Sequence, residues 1–318
     1  MNPEPGAPMS SRDDSRALLG NDLCTLARGV SAPLVGVAPL TTLSSGQSHR
    51  ASFRLEFADG QLLKGRRFDS EEDARRVATL LPLLDGRFFP RLVATCGSAA
   101  VLEWVEGEPL GTQQCHEGRM EEMGGVHARL HGVAVPRRSG HAGSDAADWP
   151  VRLARYLNEL VAGGFIDGRT RARVETVIGT ATPLRFPAGL VHKDFCLENM
   201  VVSPNGDVRI VDNETVTVDC ADFDLARTWY RWPMTPSQAT AYLAGYRHYR
   251  AARTLERDFP FWVVAVLASS ALFRLRRGID AAVPLHRLRA LAARHEASGE
   301  LPTFIETRRP GREDVAPR

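Results

Sequence analysis

Asp194, Asn199 and Asp212 are the residues whose types and spacing could do chemistry in this chain. They lie in a run that reads Leu190-Val191-His192-Lys193-Asp194-Phe195-Cys196-Leu197-Glu198-Asn199. It continues through Ser203-Pro204-Asn205-Gly206-Asp207 to Val211-Asp212-Asn213-Glu214. A loop carboxylate, Asp194, is followed five residues later by an amide, Asn199. Asn205-Gly206 then predicts a β-hairpin, because these two residues accept the positive φ that a tight hairpin turn demands. The second strand of that hairpin is expected to return another carboxylate, Asp212, beside the first two residues. Phosphoryl transfer needs such a set. A carboxylate orients an attacking hydroxyl and takes its proton, and hard oxygen donors hold Mg2+ on the phosphates. Asp194 is the candidate base, and Asn199 and Asp212 are the candidate metal ligands. The plainer alternative is three ordinary turn and cap residues.

The whole pattern, His192-x-Asp194-x4-Asn199 followed by a hairpin and Asp212, resembles the catalytic and metal-binding loops of the aminoglycoside phosphotransferase and choline kinase superfamily. Asp222-Phe223-Asp224-Leu225-Ala226 resembles the D-x-D-L-A segment of that superfamily, whose second acid braces the catalytic loop. The resemblance implies an α+β, two-lobed protein-kinase-like fold. A small N-terminal antiparallel-sheet lobe with one helix would precede a larger, mostly helical C-terminal lobe. It also implies ATP and Mg2+ as cofactors and a small-molecule hydroxyl as acceptor. The acceptors of the superfamily include aminoglycosides, macrolides, choline, homoserine and sugars.

Further positions follow from the same resemblance. Leu43 to His49 is similar to the short nucleotide loop, with Ser45 and Gly46 among its phosphate-binding residues. Lys64 falls where the fold places the lysine that pairs the α- and β-phosphates, with Arg66 on the same face as the fallback. Glu71, Glu72 and Asp73 are the acids open to pairing that lysine; Asp73, in line with Val77 and Leu80, is expected to face inward best. Val101 to Gly107 resembles the hinge, where backbone groups of Glu103 and Val105 would bond adenine. His127 and His131 fall on a helix like the one ending "LH" in the superfamily. They are expected to pack or cap, with no metal-binding histidine pair. Lys193 stands where the antibiotic kinases usually carry Gly, and is either a cation for the transferred phosphate or a solvated side chain.

The acceptor is less well specified. Glu198, Glu214 and Asp219 could favour a cationic acceptor, and Trp229, Tyr230 and Trp232 could line its pocket or belong to the core. The twelve positions from Asp212 to Asp224 are short for a peptide platform, so a kinase acting on protein is the weaker reading. A kinase-like module that binds nucleotide or a partner without turnover is the rival from another class.

These residues need elements to carry them. The spacing predicts strands at Val37–Leu43, Ala51–Phe57 and Leu62–Phe68, with Asp59-Gly60 turning the second into the third. Ser70 caps a helix through Leu81, and strands follow at Arg91–Cys96 and Ala99–Val105. Beyond Pro109 the periodicity turns helical, at Arg119–His131, Trp149–Gly163 and Thr170–Ile178. The expected organisation is a tail over residues 1–16, a nucleotide-binding lobe over 17–106, a catalytic and acceptor-binding lobe over 107–306, and a second tail over 307–318.

Composition narrows the classes. A net charge of +2 over 318 residues, with both signs spread along the chain, points to neither nucleic acid nor a membrane surface. The five cysteines are scattered and in no CxxC pair, which fits a reducing cytoplasm. The apolar run Phe259–Phe273 is shorter than the ~20 residues that span a bilayer and predicts a buried helix. Lysine occurs only at Lys64 and Lys193, whereas arginine supplies every other one of the 40 basic side chains. Oligomeric state is not specified by any of these features.

Overall fold

The computed structural model describes residues 12–40, 52–135, 148–299 and 302–304. In chain order the elements are α1 (Arg12–Arg28), β1 (Leu34–Pro39), β2 (Ser52–Phe57), β3 (Leu62–Arg67), α2 (Glu71–Leu80), β4 (Leu92–Cys96), β5 (Ala99–Glu103) and β6 (Glu108–Pro109). Then come α3 (Glu117–His131), α4 (Trp149–Ala162), α5 (Gly168–Ala181), β7 (Ala188–Val191), β8 (Met200–Val202), β9 (Val208–Ile210) and β10 (Thr217–Cys220). Four helices finish the chain: α6 (Ala221–Arg231), α7 (Pro236–Tyr249), α8 (Arg253–Leu275) and α9 (Ala282–Ser298). They form two compact units. One runs to Pro109 and takes in Met200–Glu214; the other holds Leu110–Asn199 and the chain from Thr215 onward.

The first unit is a five-stranded antiparallel sheet in the order β1-β2-β3-β5-β4. Alternation builds it. Phe53, Leu55 and Phe57 of β2 are buried with Leu63 of β3 against Leu19, Leu23 and Ala27 of α1. Gly65 of β3 lies on that same face, since a Cβ there would meet a methyl of Leu23 at 3.0 Å. Lys64, between Leu63 and Gly65, therefore points to the opposite face. Helix α2 starts as expected: the Ser70 hydroxyl accepts from the Asp73 amide at 3.1 Å, and Ala74, Val77 and Leu80 are buried.

The tail expected to residue 16 gives way to α1 from Arg12 onward, a helix broken at Gly20, where φ is 73°. Residues 1–11 and 307–318 of the expected tails lie outside the described residues. The hairpin β8–β9, expected in the second lobe, pairs with β6 and packs in the first unit, where the Ile210 amide donates to the Phe88 carbonyl at 2.7 Å. A hairpin turns at Asn205-Gly206 as expected, but only Gly206 takes a positive φ, 87°, and the loop spans residues 203–207 instead of the two of a tight turn.

The second unit is mostly helical, with one small sheet in which β7 pairs antiparallel with β10. Helix α8 is its core, with Phe259, Phe261, Trp262 and Val264 buried. Its stretch Arg257–Leu275 is long and apolar enough, by length and composition, to cross a membrane, and it is mostly buried. Helix α3 lies directly on α7. A Cβ on Gly124 would stand 1.9 Å from the Tyr242 carbonyl oxygen, and one on Gly245 would stand 1.8 Å from that of Glu121. Only glycine at both positions permits this backbone approach.

Candidate active site

In the second unit, the loop after β7 carries Asp194 and Asn199. The Asn199 amide donates to the Asp194 carbonyl at 2.8 Å and to its Oδ2 at 3.1 Å. The Asn199 Nδ2 is thus committed to Asp194, and its side-chain amide oxygen is the atom that could serve a metal. Asp194 Oδ1 has two guanidinium groups in ion-pair range, Arg231 at 3.3 Å and Arg227 at 3.6 Å. These arginines sit four residues apart, on one face of α6. Arg227 also donates to the Lys193 carbonyl. Burial alone would lower the pKa of Arg231, but Asp194 outweighs it and holds the guanidinium above its ordinary range.

The loop is fixed from below by Asp224, which is fully buried. Its Oδ2 accepts from the His192 amide and its Oδ1 from the Lys193 amide, each at 2.8 Å. The brace that the resemblance implies for Asp224 is present in this geometry. Asp224 Oδ2 also lies 3.0 Å from His127 Nε2 and 3.2 Å from His131 Nε2. The Nδ1 atoms of the two histidines meet Tyr242 Oη at 2.6 Å and Tyr246 Oη at 2.8 Å. Burial pushes the His131 pKa down to about 3 and lowers that of His127 as well, so both rings are neutral donors to the acid. Burial would raise Asp224, but the hydrogen bonds from the two histidines outweigh it and hold the acid well below the usual range.

His127, His131 and Asp224 could by type hold a metal ion, a pairing the spacing alone did not predict. Their facing atoms instead stand at hydrogen-bond distance, and the remaining ring nitrogens already meet tyrosines. The cluster is a buried support for the loop.

Lys193 sits at φ 63°, a left-handed conformation that a side chain resists. Its ammonium lies 3.0 Å from Asp219 Oδ2, a buried acid that also accepts from the Trp149 indole at 2.8 Å. Lys193, partly exposed, is thus paired with a buried acid. Trp232 is buried edge-on against Tyr242, which places it with the core, and the half-buried Trp229 packs edge-on against Phe259.

In the first unit, Lys64 meets two acids. Its Nζ is 2.5 Å from Asp212 Oδ1 and 2.7 Å from Glu214 Oε1. Burial alone would lower the lysine pKa, but Glu214 and Asp212 together raise it. Burial would likewise raise Glu214, yet Lys64 and then Arg66 bring it down to about 2. Asp212 follows β9 at φ 59° and is the more open of the two acids.

The acid expected on helix α2 does not pair Lys64. Asp73 is held by Arg76 at 2.5 Å and not by Lys64. Helix α2 begins only a few residues after β3, so its first-turn acids stay near its own N-terminus. Arg66, the fallback for Lys64, instead donates to the Ser52 hydroxyl.

Glu103 ends β5, where its amide donates to the Arg91 carbonyl at 2.9 Å and its carboxylate meets Arg209 of β9 at 3.2 Å. Val105 lies just beyond, outside any regular element. Ser45 and Gly46 fall outside the described residues. Of the acids suggested for a cationic acceptor, Glu214 and Asp219 are bound to cations and Glu198 is exposed.

A five-stranded antiparallel unit, a mostly helical unit and an HxDxxxxN loop braced by a buried acid define the protein-kinase-like phosphotransferases. Residues 39–255 match the model of the phosphotransferase enzyme family, more than half of the 318 residues, and the chain belongs to that family. Among solved structures, it is similar to a type I macrolide 2'-phosphotransferase, with a TM-score of 0.65, 16% identity, and coverage of 89% of this chain and 98% of that one. It is also similar to APH(2")-IIia, whose structure holds GDP and kanamycin, with a TM-score of 0.63, 16% identity and coverage of 90% and 99%. An ethanolamine kinase of Plasmodium vivax gives 0.60, 11% identity and coverage of 81% and 82%. At such identities the likeness is one of fold. No curated protein matches the sequence.

Proposed function

We propose that this protein transfers the γ-phosphate of ATP to a hydroxyl group of a small molecule, with Asp194 as base and Asn199 and Asp212 as Mg2+ ligands. The observation that carries the reading is the Asp194–Asn199 couple. One amide fixes both the backbone and the carboxylate of Asp194, while Asp224 fixes the two preceding amides. A base held this way meets an acceptor hydroxyl without reorganising.

The donor set suits the metal: a carboxylate and an amide oxygen are hard ligands, and Mg2+ takes few protein ligands beside phosphate oxygens. When bound, Mg2+ neutralises charge on the transferred group. Lys64 is assigned to the α- and β-phosphates, and Ser45, Gly46 and the backbone at Glu103 and Val105 to the rest of ATP. With the Glu103 amide given to Arg91, Val105 is the better hinge donor.

Nucleotide binding is assigned to residues 17–106 with the 200–214 hairpin, and acceptor binding to the remainder of 107–306. The named relatives act on, or are bound to, macrolides, kanamycin and ethanolamine. For this chain the acceptor class is a small hydroxyl compound, and five unpaired thiols suit a reducing cytoplasm.

The test is the thermal-unfolding midpoint with and without Mg·ATP, paired with Mg2+-dependent ATP turnover over a panel of amino alcohols, amino sugars and sugars. Wild type should gain stability, by about 2.7 kcal/mol at a hundred times Kd. Asp194→Asn should keep that gain and lose about 10^2- to 10^4-fold in turnover. Asp212→Ala should lose most of the gain. Full turnover in Asp194→Asn would overturn the mechanism. A midpoint unmoved by millimolar Mg·ATP would favour the non-catalytic module.

A further inference from the structure

We infer that Glu214 is the positioning residue for the nucleotide lysine, replacing the helix acid that kinase-like folds use. The inference rests on the phosphotransferase reading above. Lys64 lies between two carboxylates of the same segment, and the two differ in burial. The Glu214 side chain is 4% exposed and that of Asp212 is 45% exposed.

Burial decides which contact is permanent. An ionised carboxylate in the interior must keep its partner, because an unpaired buried charge costs several kcal/mol. Glu214 therefore cannot release Lys64 cheaply. Asp212, half open to water, can exchange an ammonium for another cation at little cost. Glu214 is the fixed anchor of Lys64, and Asp212 is its exchangeable partner. The lysine keeps a partner, and its place in the site, when Asp212 is used as a metal ligand.

The rest of the first unit supports the substitution of roles. Asp73, the inward acid of α2, is bound by Arg76. The same arginine donates to the Glu214 carbonyl at 3.2 Å. Helix α2 thus reaches Glu214 by a single bond to its backbone carbonyl, from the Arg76 nitrogen that does not hold Asp73, and supplies no acid to Lys64. Lysine position is coupled to the segment that carries the metal aspartate.

This arrangement makes a prediction about metal demand. With Glu214 neutral, Lys64 would fall back on Asp212 alone and compete with Mg2+ for it. The experiment titrates MgCl2 at fixed ATP and reads the unfolding midpoint of wild type, Glu214→Gln, Glu214→Asp and Asp73→Asn. Glu214→Gln should raise the half-saturating Mg2+ concentration by about tenfold to a hundredfold, the range for one charge-assisted contact. Glu214→Asp should raise it less, and Asp73→Asn should match wild type.

A Mg2+ requirement unchanged in Glu214→Gln, or raised in Asp73→Asn instead, would overturn the assignment. Should Glu214→Gln not fold, Glu214→Asp and Asp73→Asn still decide it, since the shortened acid must raise the requirement and the helix variant must not. A wild type that does not respond to Mg·ATP at all would sink the phosphotransferase reading, and this inference with it. A wild type that responds alongside unaffected Glu214 variants would sink this inference alone.

Discussion

Lys193 and Asp212 are the two non-glycine residues with positive φ among the described ones, and each adjoins a proposed catalytic or metal-binding role. Such backbone costs about 1–3 kcal/mol and persists only where surrounding contacts impose it. At Lys193 the contacts are identifiable: Asp224 takes the amide, Arg227 the carbonyl and Asp219 the ammonium. Two substitutions separate the strain from the ion pair. Lys193→Met loses the pair with Asp219 and keeps the strain. Lys193→Gly loses the pair and relieves the strain. Urea denaturation should place Lys193→Gly about 1 kcal/mol above Lys193→Met in stability. Equal stabilities would mean that the left-handed turn is not a burden at this position.

At the scale of elements, the support for the catalytic loop depends on how closely α3 and α7 approach. His127 and His131 fall on one face of α3, Tyr242 and Tyr246 on one face of α7, and each histidine reaches its tyrosine within 2.8 Å. Gly124 and Gly245 allow that reach by letting backbone touch backbone. In an isolated helix, Gly→Ala gains about 1 kcal/mol. Here Gly245→Ala should instead destabilise by about 1–3 kcal/mol, as overpacking of a filled interior does. A stabilised Gly245→Ala in urea would show that the helices have room to separate. Read along the sequence, the Gly124-Gly125 pair weakens the prediction of a helix, and only the facing helix explains it.

At the scale of the whole molecule, the buried histidines tie stability to pH. Their folded pKa values lie below the ordinary 6.5, that of His131 at about 3. The unfolded chain therefore binds more protons than the native one as pH falls through 6.5, and stability drops with falling pH. The contribution is complete above pH 6.5 and is lost progressively toward the folded values. Between pH 6.5 and 4.5 the buried carboxylates Glu214 and Asp224, with their lowered pKa values, stay ionised in the folded protein. His131 should contribute up to about 1.4 kcal/mol per pH unit in this window, and His127 should add to it in the same direction. Denaturant midpoints measured across it should fall, and His131→Asn should flatten the slope by one ring's share. A slope identical in the variant would place the proton uptake elsewhere.

The sequence by itself determined the features that neighbouring residues encode: the HxDxxxxN loop, the Asn205-Gly206 turn, the alternation of β2 and the Ser70 cap of α2. Each depends on groups a few positions apart, whose geometry the local backbone sets. It also marked Lys64, because one lysine in an arginine-rich stretch is conspicuous. The partner of that lysine was not legible. Asp212 is 148 positions away, and Asp73, the acid expected from proximity, was already matched to Arg76. The same holds for His127 and Asp224, 97 positions apart, and for the two arginines beside Asp194. A charge or a polar ring takes whichever partner the packing brings within a few ångströms when water is excluded. Only the tertiary structure selects that partner, because burial, which makes the choice obligatory, is a property of the assembled units.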